Sequence, residues 1–182
     1  MDMKKSADTE EKIIVAGKKL FGSHGYIGTS MSDIAKEVGI TKASLYYFYK
    51  NKQDLFLRVL EEVHVQLEEV FTTNKKPSSE KDIERLILKL IDTLTPHGAL
   101  LDPIDPVHFD TNDPALQQVI ERELAIDKKS QAYLKQCGVK QTKLASHTML
   151  SSTQCYMLRL KYGVDDIKPK QFASYTANII SN

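Results

Sequence analysis

The sequence predicts an all-α protein, and three observations carry that prediction. Apolar residues recur at three- and four-residue intervals over most of the chain, the spacing that lines one face of a helix. The periodic runs are opened by Ser, Thr, Asp or Asn and closed by glycine or broken by proline, the punctuation of helix ends. No run alternates apolar and polar residues in the two-residue rhythm of a strand. The pattern divides into residues 1–52, a three-helix domain carrying a helix-turn-helix, and residues 53–182, a C-terminal helical domain, joined by one long helix.

The first helix is expected from a cap at Asp8 or Thr9 to about His24, with Gly25 ending it. Ile13, Gly17, Leu20 and Phe21 form its apolar stripe, and Met1 to Ala7 reads as a loose tail. Ser30 is a good N-cap for the second helix, and Asp33 stands three residues on, as in a capping box. Ile34, Ala35 and Val38 share one face of about two turns. Gly39 accepts a left-handed backbone at low cost and so ends that helix sharply. Ile40 is expected to be buried in the turn. Thr41 is the next cap, and Lys42 to Tyr49 is too short to stand as a lone helix. Leu45, with Phe48 or Tyr49, gives it one inward face.

A helix, a glycine-bearing turn and a second helix make a helix-turn-helix, whose second helix enters the DNA major groove. The outward residues suit that task. Lys42 and Ser44 stand where such a helix meets base edges. Thr41, Tyr46 and Tyr47 bring hydroxyls within reach of phosphate or a base. Lys52 opens the following helix, where free backbone N–H groups favour an anion. That following helix is long, with Leu55, Phe56, Val59, Leu60, Val63, Leu67, Val70 and Phe71 at helical spacing to about Thr73. It ties the two domains together without a flexible linker.

Ser79 caps the next helix, whose apolar face is Ile83, Leu86, Ile87, Leu90, Ile91 and Leu94. Pro96 to Asp113 holds Pro96, Gly98, Pro103 and Pro106, so only short helices fit there. Asp113 and Pro114 are cap and first residue of another long helix ending near Gly138. Its inward residues are expected to be Leu116, Val119, Ile120, Leu124, Tyr133, Leu134 and Cys137, with D-K-K-S-Q in its middle solvated. Gln141 or Thr142 to Tyr162 makes the next helix, stopped by Gly163. It carries Leu144, Ser151, Cys155 and Leu158 on one face and Met149, Tyr156 and Leu160 on another. The last helix, Pro169 to about Ile180, offers Phe172, Tyr175, Ile179 and Ile180.

Composition excludes several classes. Across 182 residues, hydrophobic content of 41% and charged content of 27% are ordinary for a globular protein. The net charge of +1 does not advertise a nucleic-acid partner, but its distribution is informative. Met1 to Lys52 holds nine lysines against six acids, and the remainder is slightly acidic, so the positive charge lies where phosphate would be met. No apolar run is long enough for a membrane span, and the N-terminus lacks the apolar centre of a signal peptide. Cys137 and Cys155 match no metal or redox spacing and read as reduced, partly buried thiols of a cytoplasmic protein. The five histidines are scattered without H-x-x-x-H spacing, so no metal site and no cofactor is expected. Asp102-Pro103 and Asp105-Pro106 read as turn chemistry beside His97 and His108. With no catalytic motif elsewhere, an enzyme is not expected.

The segment L-F-G-S-H-G-Y-I-G-T-S, Leu20 to Ser30, runs on through D-I-A-K-E-V-G-I-T-K-A-S-L-Y-Y-F-Y-K-N-K-Q-D-L. Together these closely resemble the tetracycline-repressor-like (TetR) family of bacterial transcriptional regulators, over roughly residues 9 to 56. This chain departs from the family pattern at Ala43, where glycine is common, and at Tyr47, where histidine is common. Gln53 replaces a common glutamate and Lys50 a frequent proline. Ala43 and Tyr47 fall where they would alter base reading.

The resemblance implies a double-stranded operator as partner and Thr29, Ser30, Thr41, Lys42, Ala43, Ser44, Tyr46, Tyr47 and Lys52 as its contacts. It also implies a homodimer through the last two helices, with Ser151, Cys155, Leu158, Phe172, Tyr175 and Ile179 in the interface. The C-terminal domain would then enclose an apolar or amphipathic small-molecule effector. Candidate lining residues are Leu67, Phe71, Leu90, His108, Phe109, Tyr133, Met149 and Tyr156. Effector release from a palindromic operator would make the protein a repressor. The residues leave two alternatives open, a regulator that needs no ligand and a helical protein-binding adaptor.

Overall fold

The computed structural model describes residues 3–72, 76–101, 112–164 and 166–182. Among these the fold is all-α. The helices are α1 (Met3–Gly28), α2 (Met31–Val38), α3 (Lys42–Phe48), α4 (Lys52–Val70), α5 (Glu80–Leu94), α6 (Pro114–Gln136), α7 (Thr142–Lys161) and α8 (Pro169–Ser181). A 3₁₀ segment, Thr95–Leu101, follows α5. The chain divides into two compact units, Met1–Val63 with His97–Val119, and His64–Pro96 with Ile120–Asn182. Helix α4 therefore gives its first part to one unit and its last part to the other.

The first unit is built on Ile13, Phe21, Ile34, Leu45, Leu55 and Val59, none of them measurably exposed. Helix α1 packs on α2, and α2 on α3. Gly17 faces α4, and a β-carbon there would lie 2.7 Å from Val59 Cγ2, too close for any side chain. Phe21, Tyr26 and Phe56 form an aromatic cluster. Phe56 meets the other two rings edge-on at 5.0 Å.

The expected loose tail is corrected: α1 begins at Met3. Nothing between Lys4 and Lys12 breaks a helix, and the Lys12–Asp8 pair at 2.6 Å is a favourable four-residue spacing. The backbone leaves helical geometry at Gly25 (φ 72°, ψ 179°), where the first helix was expected to end. Ile40 is half-buried rather than buried.

In the second unit α5 is central. It makes its most extensive contact with α8 and also packs on α7, which in turn packs on α8. All six residues of the predicted α5 stripe are buried. Ala173 and Ala177, both wholly buried, keep the α8 surface low where it meets its neighbours. Glu68, near the end of α4, accepts from Lys129 at 2.7 Å and Arg122 at 3.4 Å of α6.

Helix α6 corrects the predicted inward stripe. Leu116, Val119, Ile126, Ser130 and Leu134 hold the buried line, so Ile120 and Leu124 fall off it, 40% and 56% exposed. The wholly buried Ser130 disguises this register. Its hydroxyl lies 2.8 Å from that of Ser146, which donates to the Asp127 carboxylate. A segment that reads as solvated thus contributes a satisfied polar core contact. Cys137 is half-buried and Cys155 exposed, both as free thiols.

Candidate nucleic-acid interface

Helix α2 is held at both ends by local chemistry. Ser30 and Asp33 form a reciprocal capping box: the Asp33 amide donates to Ser30 Oγ at 3.2 Å, and the Ser30 amide to Asp33 Oδ2 at 3.1 Å. Hydrogen bonds from the Ser30 hydroxyl and amide hold the Asp33 carboxyl below the usual carboxylate range, with Lys36 and His24 adding smaller help. Gly39 ends the helix at φ 77°, and the Ile40 amide reaches back to Ala35 O at 3.0 Å.

Helix α3 begins at Thr41, whose Oγ1 accepts from the Ser44 amide at 3.0 Å. Leu45 is its buried residue, and Phe48 is half-buried. Thr41, Lys42, Ala43, Ser44, Tyr46 and Tyr47 are exposed, Tyr47 to 76%. The Lys42 ammonium stands 5.9 Å from the centre of the Tyr46 ring. A seven-residue helix with one wholly buried side chain cannot hold itself by packing alone. Its far end is anchored by Tyr49, a buried residue whose hydroxyl donates to Glu10 of α1 at 3.2 Å. Burial, with the Glu10 charge next, drives that phenol well above its ordinary range. Tyr49 entered the sequence reading only as one of two candidates for an inward position. Its α1 partner is 39 residues away and leaves no local signal.

Thr29 and Lys52 sit differently from the exposed set. Thr29 is 2% exposed, and its hydroxyl donates to Leu20 O at 3.1 Å. The Lys52 ammonium donates to Tyr26 O at 2.8 Å and Thr29 O at 3.1 Å, and stands 4.3 Å from the centre of the Tyr26 ring. Burial holds its pKa below the usual lysine value.

The remaining predicted residues lie in the second unit, apart from His108 and Phe109, which fall outside the described residues. Leu67, Phe71, Leu90, Met149 and Tyr156 are buried, and Tyr133 is half-buried. The Tyr156 hydroxyl donates to Ile167 O at 2.7 Å, and its ring stacks on Phe172 at 4.1 Å. Tyr133 donates to Asp82 O at 3.1 Å; burial, then nearby Cys137 and Asp82, push its pKa up to about 12. Phe71 and Tyr133 also line an open cleft of about 340 Å³ with Lys76 and Lys129. Ser151, Cys155, Tyr175 and Ile179 are exposed, while Leu158 and Phe172 are half-buried. Leu144, 61% exposed, and Tyr162, 65% exposed, extend the α7 stripe at both ends. Among the described residues no group of His, Cys, Asp and Glu is arranged to hold a metal, and no helix is long and apolar enough to cross a membrane.

Comparison with known proteins agrees with this geometry. Residues 13–59 match the family described as bacterial regulatory proteins, tetR family. The biofilm operon icaADBC HTH-type negative transcriptional regulator IcaR of Staphylococcus epidermidis is 46% identical over 52 residues. That match covers 29% of this chain and only 28% of IcaR. An uncharacterized HTH-type transcriptional regulator of Lactococcus lactis is 25% identical over 177 residues, covering 91% of this chain and 89% of that one. A tetR-family transcriptional regulator from Streptomyces coelicolor shares the fold with a TM-score of 0.77 at 14% identity, over 96% of this chain and 79% of that chain. Residues 13–59 therefore carry a helix-turn-helix of the tetR type, and the all-helical fold is similar to that of TetR-family regulators of known structure.

Proposed function

We propose that this transcriptional regulator represses by binding a palindromic DNA operator as a homodimer, through the exposed face of α3. The observation that carries the proposal is that face: Thr41, Lys42, Ala43, Ser44, Tyr46 and Tyr47 stand exposed on a short helix fixed at both ends. Lys42 and Ser44 read base edges, Ala43 lets the helix approach them closely, and Thr41, Tyr46 and Tyr47 hold phosphate and register. Ser30, at the start of α2, stands at the backbone on the other side of the turn. Repression is supported by the likeness of this segment to the negative regulator IcaR.

Dimerisation is supported by the stripes of α7 and α8, where Ser151, Cys155, Tyr175 and Ile179 are exposed and Leu158 and Phe172 half-buried. A two-fold axis there presents two copies of α3 to successive major grooves, about 34–36 Å apart for one turn. The test is selection of binding sites from a random DNA pool, with sedimentation of the free protein. An inverted repeat with half-sites one turn apart, bound by a dimer, is the expected result. A monomer at micromolar concentration that binds tightly contradicts the reading.

An apolar or amphipathic effector in the second unit would release the operator, and a tenfold loss of DNA affinity needs about 1.4 kcal/mol of preference for the incompetent state. Leu67, Phe71, Leu90, Tyr133, Met149 and Tyr156 are its candidate contacts, with His108 and Phe109. One observation favours a ligand-free regulator instead: the hydroxyls of Tyr133 and Tyr156 already donate to backbone carbonyls. A small-molecule screen by thermal shift and operator release separates the two readings.

A further inference from the structure

We infer that Lys52 is a positioning residue that locks the start of α2 to α4, and so sets the orientation in which α3 is offered to DNA. The inference rests on the proposed DNA binding and assigns Lys52 a task different from holding phosphate. Three observations within the first unit support it. The two carbonyls that Lys52 reaches, Tyr26 O and Thr29 O, lie just after the Gly25 break and just before the Ser30 cap. Both are backbone acceptors at the end of α1 and the turn into α2, and one lysine ammonium bonds the two together. Its place over the Tyr26 ring adds a second, directional attraction.

The residues around the clasp are themselves tied down. The Tyr26 ring packs edge-on against Phe56, one turn along α4 from Lys52. The buried Thr29 hydroxyl holds the other side of the turn to Leu20 O. Gly17 lets α1 lie close against α4 at Val59, where a β-carbon would come within 2.7 Å of Cγ2. A shift of the first turns of α4 is therefore passed through the ammonium to the backbone at Thr29, and from there to the α2 cap. Helices α2 and α3 follow, because the Gly39 turn between them is short and capped on both sides.

The two roles of Lys52 separate in one experiment. Lys52→Met keeps the stem and removes the ammonium. Lys52→Arg keeps the charge, and Lys52→Gln is a neutral donor that serves if the methionine variant does not fold. Amide hydrogen exchange is measured on the DNA-free proteins. Affinity for a site selected by the unaltered protein is measured across a salt series.

Protection over residues 29–34 should fall about tenfold in Lys52→Met, the scale of one charge-assisted hydrogen bond. Amides of α5 and α8 should keep native protection. Affinity should fall by a similar factor for all sequences with the salt slope unchanged, and Lys52→Arg should recover most of both losses. Lys52→Gln should lie between. Native protection over 29–34 in both neutral variants overturns the inference. So does a salt slope flattened by about 0.9, the release of one phosphate contact, with protection unchanged. If the unaltered protein selects no DNA, the proposed function fails, while the exchange result still decides whether Lys52 holds the turn.

Discussion

Helices α3 and α8 both present aromatic side chains to solvent, and the chemistry around those rings differs. On α3 the exposed rings are Tyr46 and Tyr47, set among Thr41, Lys42 and Ser44. Each apolar surface there carries a hydroxyl or stands beside a charge, as suits a wet, anionic partner. On α8 the exposed Tyr175 and Ile179 follow the half-buried Phe172 at helical spacing, and α7 adds Leu144 and Tyr162. There the tyrosine rings stand among Phe172, Ile179 and Leu144, with the Lys161 ammonium 4.8 Å from the Tyr162 ring at the edge, and a stripe of this apolar character suits a protein partner. The comparison teaches that exposure alone does not separate the two surfaces. What the exposed carbon stands next to does.

The largest effect should come from a charge on the apolar stripe. Tyr175→Asp or Ser151→Asp should leave a monomer, read as solution mass by light scattering. Operator affinity should drop by more than about a hundredfold, because the second half-site no longer gains from the first. Unchanged mass and affinity would remove α7 and α8 from the dimer. Next comes the polar surface. Lys42→Ala should cost about 1–3 kcal/mol of operator binding and relax selectivity at one base pair, read by repeating the site selection with the variant. An unaltered preference would mean that α3 docks in some other way.

A paired removal of hydroxyls sharpens the contrast. Tyr47→Phe should weaken operator binding by about 1 kcal/mol, whereas Tyr175→Phe should leave the dimer dissociation constant unchanged, because only the first hydroxyl meets a polar partner. Equal effects on the two surfaces would erase the distinction drawn between them. A further change acts on the scaffold beneath α3. Ser30→Ala should lower stability to denaturant by about 1 kcal/mol through loss of the α2 cap. The midpoint should shift with little change in slope.

The smallest expected effect concerns pH. Burial, then the Lys18 charge, holds the His97 imidazole below its usual pKa, so the folded first unit favours the neutral ring. The unfolded chain then binds more protons than the folded one in the window below the ordinary histidine pKa. Stability should fall as pH drops through that value and level off below the folded pKa. His97→Gln should flatten this dependence in thermal melts between about pH 5 and 7. A slope equal to that of the unaltered protein would assign the pH response to other groups.

Local chemistry was legible in the residues themselves. The caps at Ser30, Thr41 and Asp113, the left-handed turn at Gly39 and the α5 stripe all act within a turn or two of the chain. Their partners can therefore be counted off in the sequence. The resemblance that names the family lies in the same compact stretch. The tail reads as loose because Asp8 and Thr9 offer a cap, yet the helix already runs through them from Met3, over residues that are good helix formers.

Only the tertiary structure decided the long-range pairings. Tyr49 finds Glu10, Lys52 finds the carbonyls of Tyr26 and Thr29, and Ser146 finds Ser130 and Asp127, each from a different helix. Periodicity reports which residues share a helix face but not what that face meets. On α6 the buried Ser130 looks like solvent and the exposed Leu124 looks like core until the neighbouring helix is in place. Burial and hydrogen bonding are properties of the packed surroundings, so residues with the same local signal, such as Leu124 and Leu134 of α6, end on opposite sides of the surface.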